Sequence, residues 1–85
     1  MNNTRMELKT RLNIVFREVF DDDSIEVFDE MTSKDISTWD SLMYVVLVVA
    51  VEKEFGIHFN AAQVGKLKNV GEMLDFIEKT ASVQL

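Results

Sequence analysis

Asp40 and Ser41 stand side by side, immediately before an unbroken apolar run from Leu42 to Val51. A carboxylate in that position can accept a hydrogen bond from an orphan backbone N–H of a helix's first turn, so Asp40 reads as an N-cap. Ser41 then lies exposed at the positive end of the helix. A phosphate ester on its hydroxyl would sit close to unpaired N–H groups and to the macrodipole, so the position suits a serine that carries a phosphodiester. A serine acting as a nucleophile needs a base, and the one histidine, His58, lies beyond the far end of the same helix, roughly 20 Å or more away. No G-x-S-x-G elbow and no Gly-rich loop offers an oxyanion hole, so hydrolysis is not expected. Cysteine is absent, which removes thiolate metal sites, Cys nucleophiles and disulfides. Asp21 and Asp23 have the spacing of the first two ligands of an EF-hand loop. Glu26, however, stands where the turn needs Gly, and Thr32 replaces the closing Glu, so an ordinary solvated acidic loop is expected.

The serine needs a helix to hold it, and the stretch Asp40 to Phe55 supplies one. At about 100° per residue, Tyr44, Leu47, Val48, Val51 and Phe55 share a core stripe, while Leu42, Val46 and Val49 fall opposite. The run is too short to span a bilayer, and 85 residues cannot wrap one helix on every side, so the second apolar face is expected to be kept for a partner. Gly56 is the expected stop. Upstream, Thr4 and Glu7 have capping-box spacing, and Leu8, Leu12, Val15, Phe16 and Val19 predict a helix from about Arg5 to Phe20, with Lys9, Arg11, Arg17 and Glu18 on its other face. The connection from Asp21 to Trp39 is long, and Ile25, Val27, Phe28 and Met31 are expected to pin it against the core. Downstream, Ile57 and Phe59 should turn inward around His58. Asn60 with Gln63 predicts a short helix from Ala61 to Gly65 or a little beyond. Asn69 with Glu72 predicts a last helix to about Thr80, burying Val70, Met73, Leu74, Ile77 and Phe76, before a frayed tail from Ala81 to Leu85. The fold class is therefore all-α, a bundle of three main helices and one short one with a long loop after the first, in a single domain over 1–85.

A net charge of −6 argues against nucleic acid or an anionic membrane surface as partner and favours partners with basic surfaces. The opening residues MNNTRMELKT contain no apolar run, so no secretory signal and a cytoplasmic location are expected.

The sequence Trp39-Asp40-Ser41-Leu42, followed by Val45, Leu47, Val48, Glu52, Glu54, Phe55, Gly56 and Ile57, resembles the acyl carrier proteins, whose Asp-Ser-Leu motif opens the second helix of a four-helix bundle. The likeness extends to the Asn69-Val70 start of the last helix. It implies that Ser41 is esterified by 4′-phosphopantetheine, donated from coenzyme A by a phosphopantetheinyl transferase, with Asp40 serving as cap and in transferase recognition. It also implies a non-catalytic, monomeric carrier whose cargo is loaded and processed by separate acyl-handling enzymes. The missing cysteine agrees, since the working thiol would belong to the prosthetic group. Members serving fatty-acid synthesis usually carry acids on the exposed face of this helix, whereas here Met43 and Val46 hold two such positions. Acidity survives at Glu52 and Glu54, and upstream at Asp35 and Asp40. The implied partner face comprises Leu42, Met43, Val46, Val49, Glu52 and Glu54, and it points toward a dedicated lipid or polyketide-type pathway. Val45, Val48, Val49 and Val51 would set the width of any acyl cavity. Two rival readings are an aminoacyl or peptidyl carrier using the same serine, and a small helical interaction module without a prosthetic group.

Overall fold

The computed structural model describes residues 4–84, with side chains over 5–80. Four α-helices follow in order: α1 (Thr4–Val19), α2 (Ser41–Phe55), the short α3 (Ala61–Lys66) and α4 (Val70–Gln84), with a 3₁₀ turn at Ser33–Asp35 inside the long α1–α2 loop. The Thr4 cap expected for α1 falls outside the described side chains. The end of α1 is set by Asp21, which takes a left-handed conformation at φ 52°. Its N–H donates to Glu18 O at 3.4 Å and the Asp22 N–H to Arg17 O at 3.0 Å, the Schellman pattern that usually takes Gly. Aspartate tolerates this backbone better than bulkier residues do. The Asp22 carboxylate turns back onto Ser24, whose hydroxyl and N–H hold its pKa below the usual carboxylate value. These acids thus act first as turn residues.

One apolar cluster joins all four helices and the loop. Leu12, Phe16, Leu47, Val51, Val70, Leu74 and Ile77 are fully enclosed, each large side chain contributing about 1.5–3 kcal/mol by burial. The stripes expected for α1, α2 and α4 face this cluster, with Val19, Tyr44, Phe55 and Phe76 at its half-buried margin. Phe76 stacks on Phe59, centroids 4.6 Å apart. Of the valines expected to shape a cavity, Val48 and Val51 face inward, whereas Val45 and Val49 are exposed.

The long loop is pinned by apolar plugs and by the polar face of α1 together. Ile25, Val27 and Met31 are buried as expected. Phe28 is not: the Met31 N–H closes a turn onto Phe28 O at 2.9 Å, which turns that ring outward. Asn13 Oδ1 accepts the Val27 N–H at 2.7 Å and Arg17 Nε donates to Ile25 O at 2.7 Å. Lys9 and Arg5 both grip Asp29 at 3.1 Å, and Arg5 also reaches Asp75 at 2.8 Å and Glu78 at 3.3 Å. These two cations, Lys9 foremost, hold the Asp29 carboxyl below its usual pKa. A capping box at Thr32 and Asp35 starts the 3₁₀ turn.

The first turn of α4 is closed by the same loop. Asn69 Oδ1 accepts the Glu72 N–H at 2.9 Å. The Val70 N–H goes to Met31 O at 2.9 Å and the Gly71 N–H to Asp29 O at 2.8 Å. A Cβ at Gly71 would lie 3.0 Å from Asp29 O, so glycine is what allows loop and helix to meet. The reaching-back carboxylate of Glu72 accepts from Lys68 N at 2.9 Å, one residue before the cap, so this start is only half a capping box. α4 continues to Gln84, past the expected stop at Thr80, because no Gly or Pro interrupts Ala81 to Gln84. Leu85 lies outside the described residues.

Candidate functional site

Asp40 is extended at φ −110° and accepts the Met43 N–H on its carboxylate at 2.9 Å, as a cap should. Its carbonyl accepts the Tyr44 N–H at 2.9 Å. Ser41 is the first residue of α2 and is exposed. Its hydroxyl makes no hydrogen bond among the described residues, and the Ser41 and Leu42 N–H groups meet no protein acceptor. These are the orphan donors of a helix start.

An open groove of about 380 Å³ runs beside this serine. Trp39, Tyr44 and Leu67 give it apolar and aromatic wall, Ser33, Asp40 and Ser41 give it polar atoms, and Lys68 is its cation. Trp39 is held by edge-on contact with Phe16 at 5.4 Å and by stacking on Tyr44 at 6.4 Å between centroids. The Tyr44 hydroxyl donates to Val64 O at 2.8 Å, tying α2 to α3. Burial raises its pKa, so it stays a neutral donor at physiological pH. Sequence patterning placed Trp39 and Asp40 next to Ser41 but missed Leu67 and Lys68, which reach the groove only through the fold and carry no local signal.

His58 is at the other end of α2, 87% exposed, with Nδ1 3.4 Å from Glu52 Oε2. A fifteen-residue helix is about 22 Å long, so the structure does not bring Ser41 and His58 together. Gly56, at φ 64°, ends α2 in the left-handed conformation expected there. Among the described residues no group of three His, Cys, Asp or Glu is placed to hold a metal, and no helix is long and apolar enough to cross a membrane.

The outward face of α2 is apolar. Leu42 is 71% exposed, and Val45, Val46 and Val49 are also exposed, while Met43 is half-buried. The two acids assigned to this face have structural work already. Glu52 accepts the Phe59 N–H at 2.8 Å and is mostly covered, fixing the inward turn of Ile57 and Phe59. Glu54 pairs with Arg11 at 2.9 Å, whose guanidinium also lies over the Phe55 ring at 4.5 Å.

These residues fit a phosphodiester-linked arm. The Ser41 hydroxyl is unbonded among the described residues, the adjoining N–H groups can donate to an anionic oxygen, and an open groove lies alongside.

Comparison with known proteins supports the same group. Residues 39–77 match the family model described as phosphopantetheine attachment site. An acyl carrier protein of Thermotoga maritima is 32% identical over 76 residues, covering 89% of this chain and 94% of that protein. One from Acidothermus cellulolyticus is 34% identical over 74 residues, covering 87% and 88%. The solution structure of a holo acyl carrier protein from Geobacter metallireducens superposes with a TM-score of 0.82 at 37% identity, covering 98% of this chain and 91% of that one. The chain belongs to the acyl carrier protein family, with covalently bound phosphopantetheine as its prosthetic group.

Proposed function

We propose that Ser41 is the attachment point, and that this is a non-catalytic carrier presenting acyl intermediates to separate enzymes of a dedicated lipid or polyketide-type pathway. The observation that carries the reading is the Ser41 hydroxyl: exposed, unbonded, at the edge of the groove and within the stretch matched by the phosphopantetheine family. When bound, the group supplies a terminal thiol on which an acyl group is held as a thioester. Asp40 shapes the turn that presents the serine, and that turn is what a phosphopantetheinyl transferase would read. Bases and oxyanion holes belong to the partner enzymes, since His58 lies at the opposite end of α2.

The pathway reading rests on the outer face of α2. No charged residue occurs between Ser41 and Val51, although the chain carries a net charge of −6. Docking there through Leu42, Met43, Val46 and Val49 is apolar, with a few anchors dominating the binding energy and Glu54 at the rim. Enzymes that recognise carriers through basic patches would find little charge on this outer face of α2.

Incubation with coenzyme A and a broad-specificity transferase, followed by intact mass and peptide mapping, tests the attachment. One added phosphopantetheine on Ser41, absent in Ser41→Ala, is expected. An adduct on another residue, or one that persists in the folded variant, contradicts it.

A further inference from the structure

We infer that Lys68 is the counter-charge of the arm: its ammonium neutralises the phosphodiester on Ser41 and holds the arm's first segment in the groove. The inference rests on the reading of Ser41 as the attachment point. Among the described basic residues, Arg5, Lys9 and Arg11 are committed to ion pairs and Arg17 to a loop carbonyl. Lys34, Lys53, Lys66, Lys68 and Lys79 make no ion pair, and of these only Lys68 lines the groove that contains Ser41.

The electrostatics of the groove call for a cation. The Asp40 carboxylate accepts the Met43 N–H to cap α2, and it is the groove's one carboxylate. A phosphodiester beside it places two anions together on a chain already at −6. The orphan N–H groups of Ser41 and Leu42 offset part of that repulsion, and Lys68 is the one full positive charge in the groove. Its backbone is fixed on both sides. The Lys68 N–H donates to Glu72 at 2.9 Å, Leu67 packs against the core, and Asn69 caps α4. The long side chain is therefore carried by an anchored backbone at the α3–α4 junction, and it is exposed.

The test compares loaded and unloaded forms of wild type, Lys68→Gln, Lys68→Arg and Lys66→Gln. Loading is verified by intact mass, and Tm is read at about 0.01 M and about 1 M salt, where the screening length falls from about 30 Å to about 3 Å. At low salt, loading should change the wild-type Tm more favourably than that of Lys68→Gln by about 1–8 °C, the scale of an exposed ion pair in a chain of this size. Lys68→Arg and Lys66→Gln should keep the wild-type response, and the difference should vanish at high salt. Equal responses in wild type and Lys68→Gln, or an equal loss in Lys66→Gln, would overturn the assignment of Lys68. Failure of wild type to load on Ser41 would overturn the attachment reading itself.

Discussion

The starts of α2 and α4 can be compared atom for atom. In each, an Asx side chain accepts the N–H three residues on at 2.9 Å: Asp40 from Met43, and Asn69 from Glu72. In each, the cap's carbonyl takes the N–H four residues on, from Tyr44 and from Met73. The two helices part at the first and second helical positions. In α4 the Val70 and Gly71 donors are taken by Met31 O and Asp29 O of the long loop, whereas in α2 the Ser41 and Leu42 donors have no protein acceptor. Capping chemistry alone therefore does not tell a structural helix start from a functional one. At α4 another segment of chain covers the remaining donors, whereas at α2 they are left uncovered beside the groove.

The closed start should respond most strongly to mutation. Gly71→Ala forces a Cβ to 3.0 Å from Asp29 O, which should cost about 1–3 kcal/mol and lower Tm by about 4 °C or more in a thermal melt; an unchanged Tm would mean the loop is not clamped there. Removing the two caps, by Asn69→Ala and Asp40→Ala, should cost about 0.5–2 kcal/mol each in denaturant unfolding. Only Asp40→Ala should also slow transferase loading, and equal loading rates in the two variants would erase the distinction between the starts.

The loop that closes α4 also has a pH signature. Asp29 is held below its usual 3.8 by Lys9 and Arg5. The unfolded chain therefore takes up its proton first, so the stabilisation is present above the unfolded value and is lost as pH falls through the lower folded one. Asp29→Asn should flatten that acid limb and cost about 0.2–1 kcal/mol at neutral pH, as for other partly exposed pairs. A wild-type acid profile in this variant would remove Asp29 from the account. Val46→Glu on the open side should change stability by no more than about 0.5 kcal/mol while weakening capture by the native partner enzyme. A large fall in Tm would place Val46 in the core.

Local chemistry made the open start legible in the sequence. The Asp40 cap, the Gly56 stop, the Asn60–Gln63 box and the stripes of α1, α2 and α4 each depend on residues a few positions apart, and the exposed face of Leu42, Val46 and Val49 follows from helical periodicity. The Asn69 cap of the closed start was legible in the same way, but what closes that start was not, because it depends on contacts between distant segments: Asp29 with Arg5, Lys9 and Gly71, and Asn13 and Arg17 with the loop backbone. The same is true of Lys68 in the groove. Asp21 was ambiguous by type, since an acid that could ligate a metal is also one of the residues able to take the left-handed stop of α1. Glu52 and Glu54 carry no sequence signal of the contacts that hold them, the Phe59 N–H and the Arg11 guanidinium, because both come from segments outside α2.

The central claim is that the uncovered donors of α2 receive the phosphodiester. Backbone amide shifts of the apo and loaded protein, recorded by ¹H–¹⁵N NMR, address it directly. The largest changes should fall on Ser41 and Leu42, with Val70 and Gly71 unmoved. Shifts at Ser41 and Leu42 no greater than those at Val70 and Gly71 would contradict it.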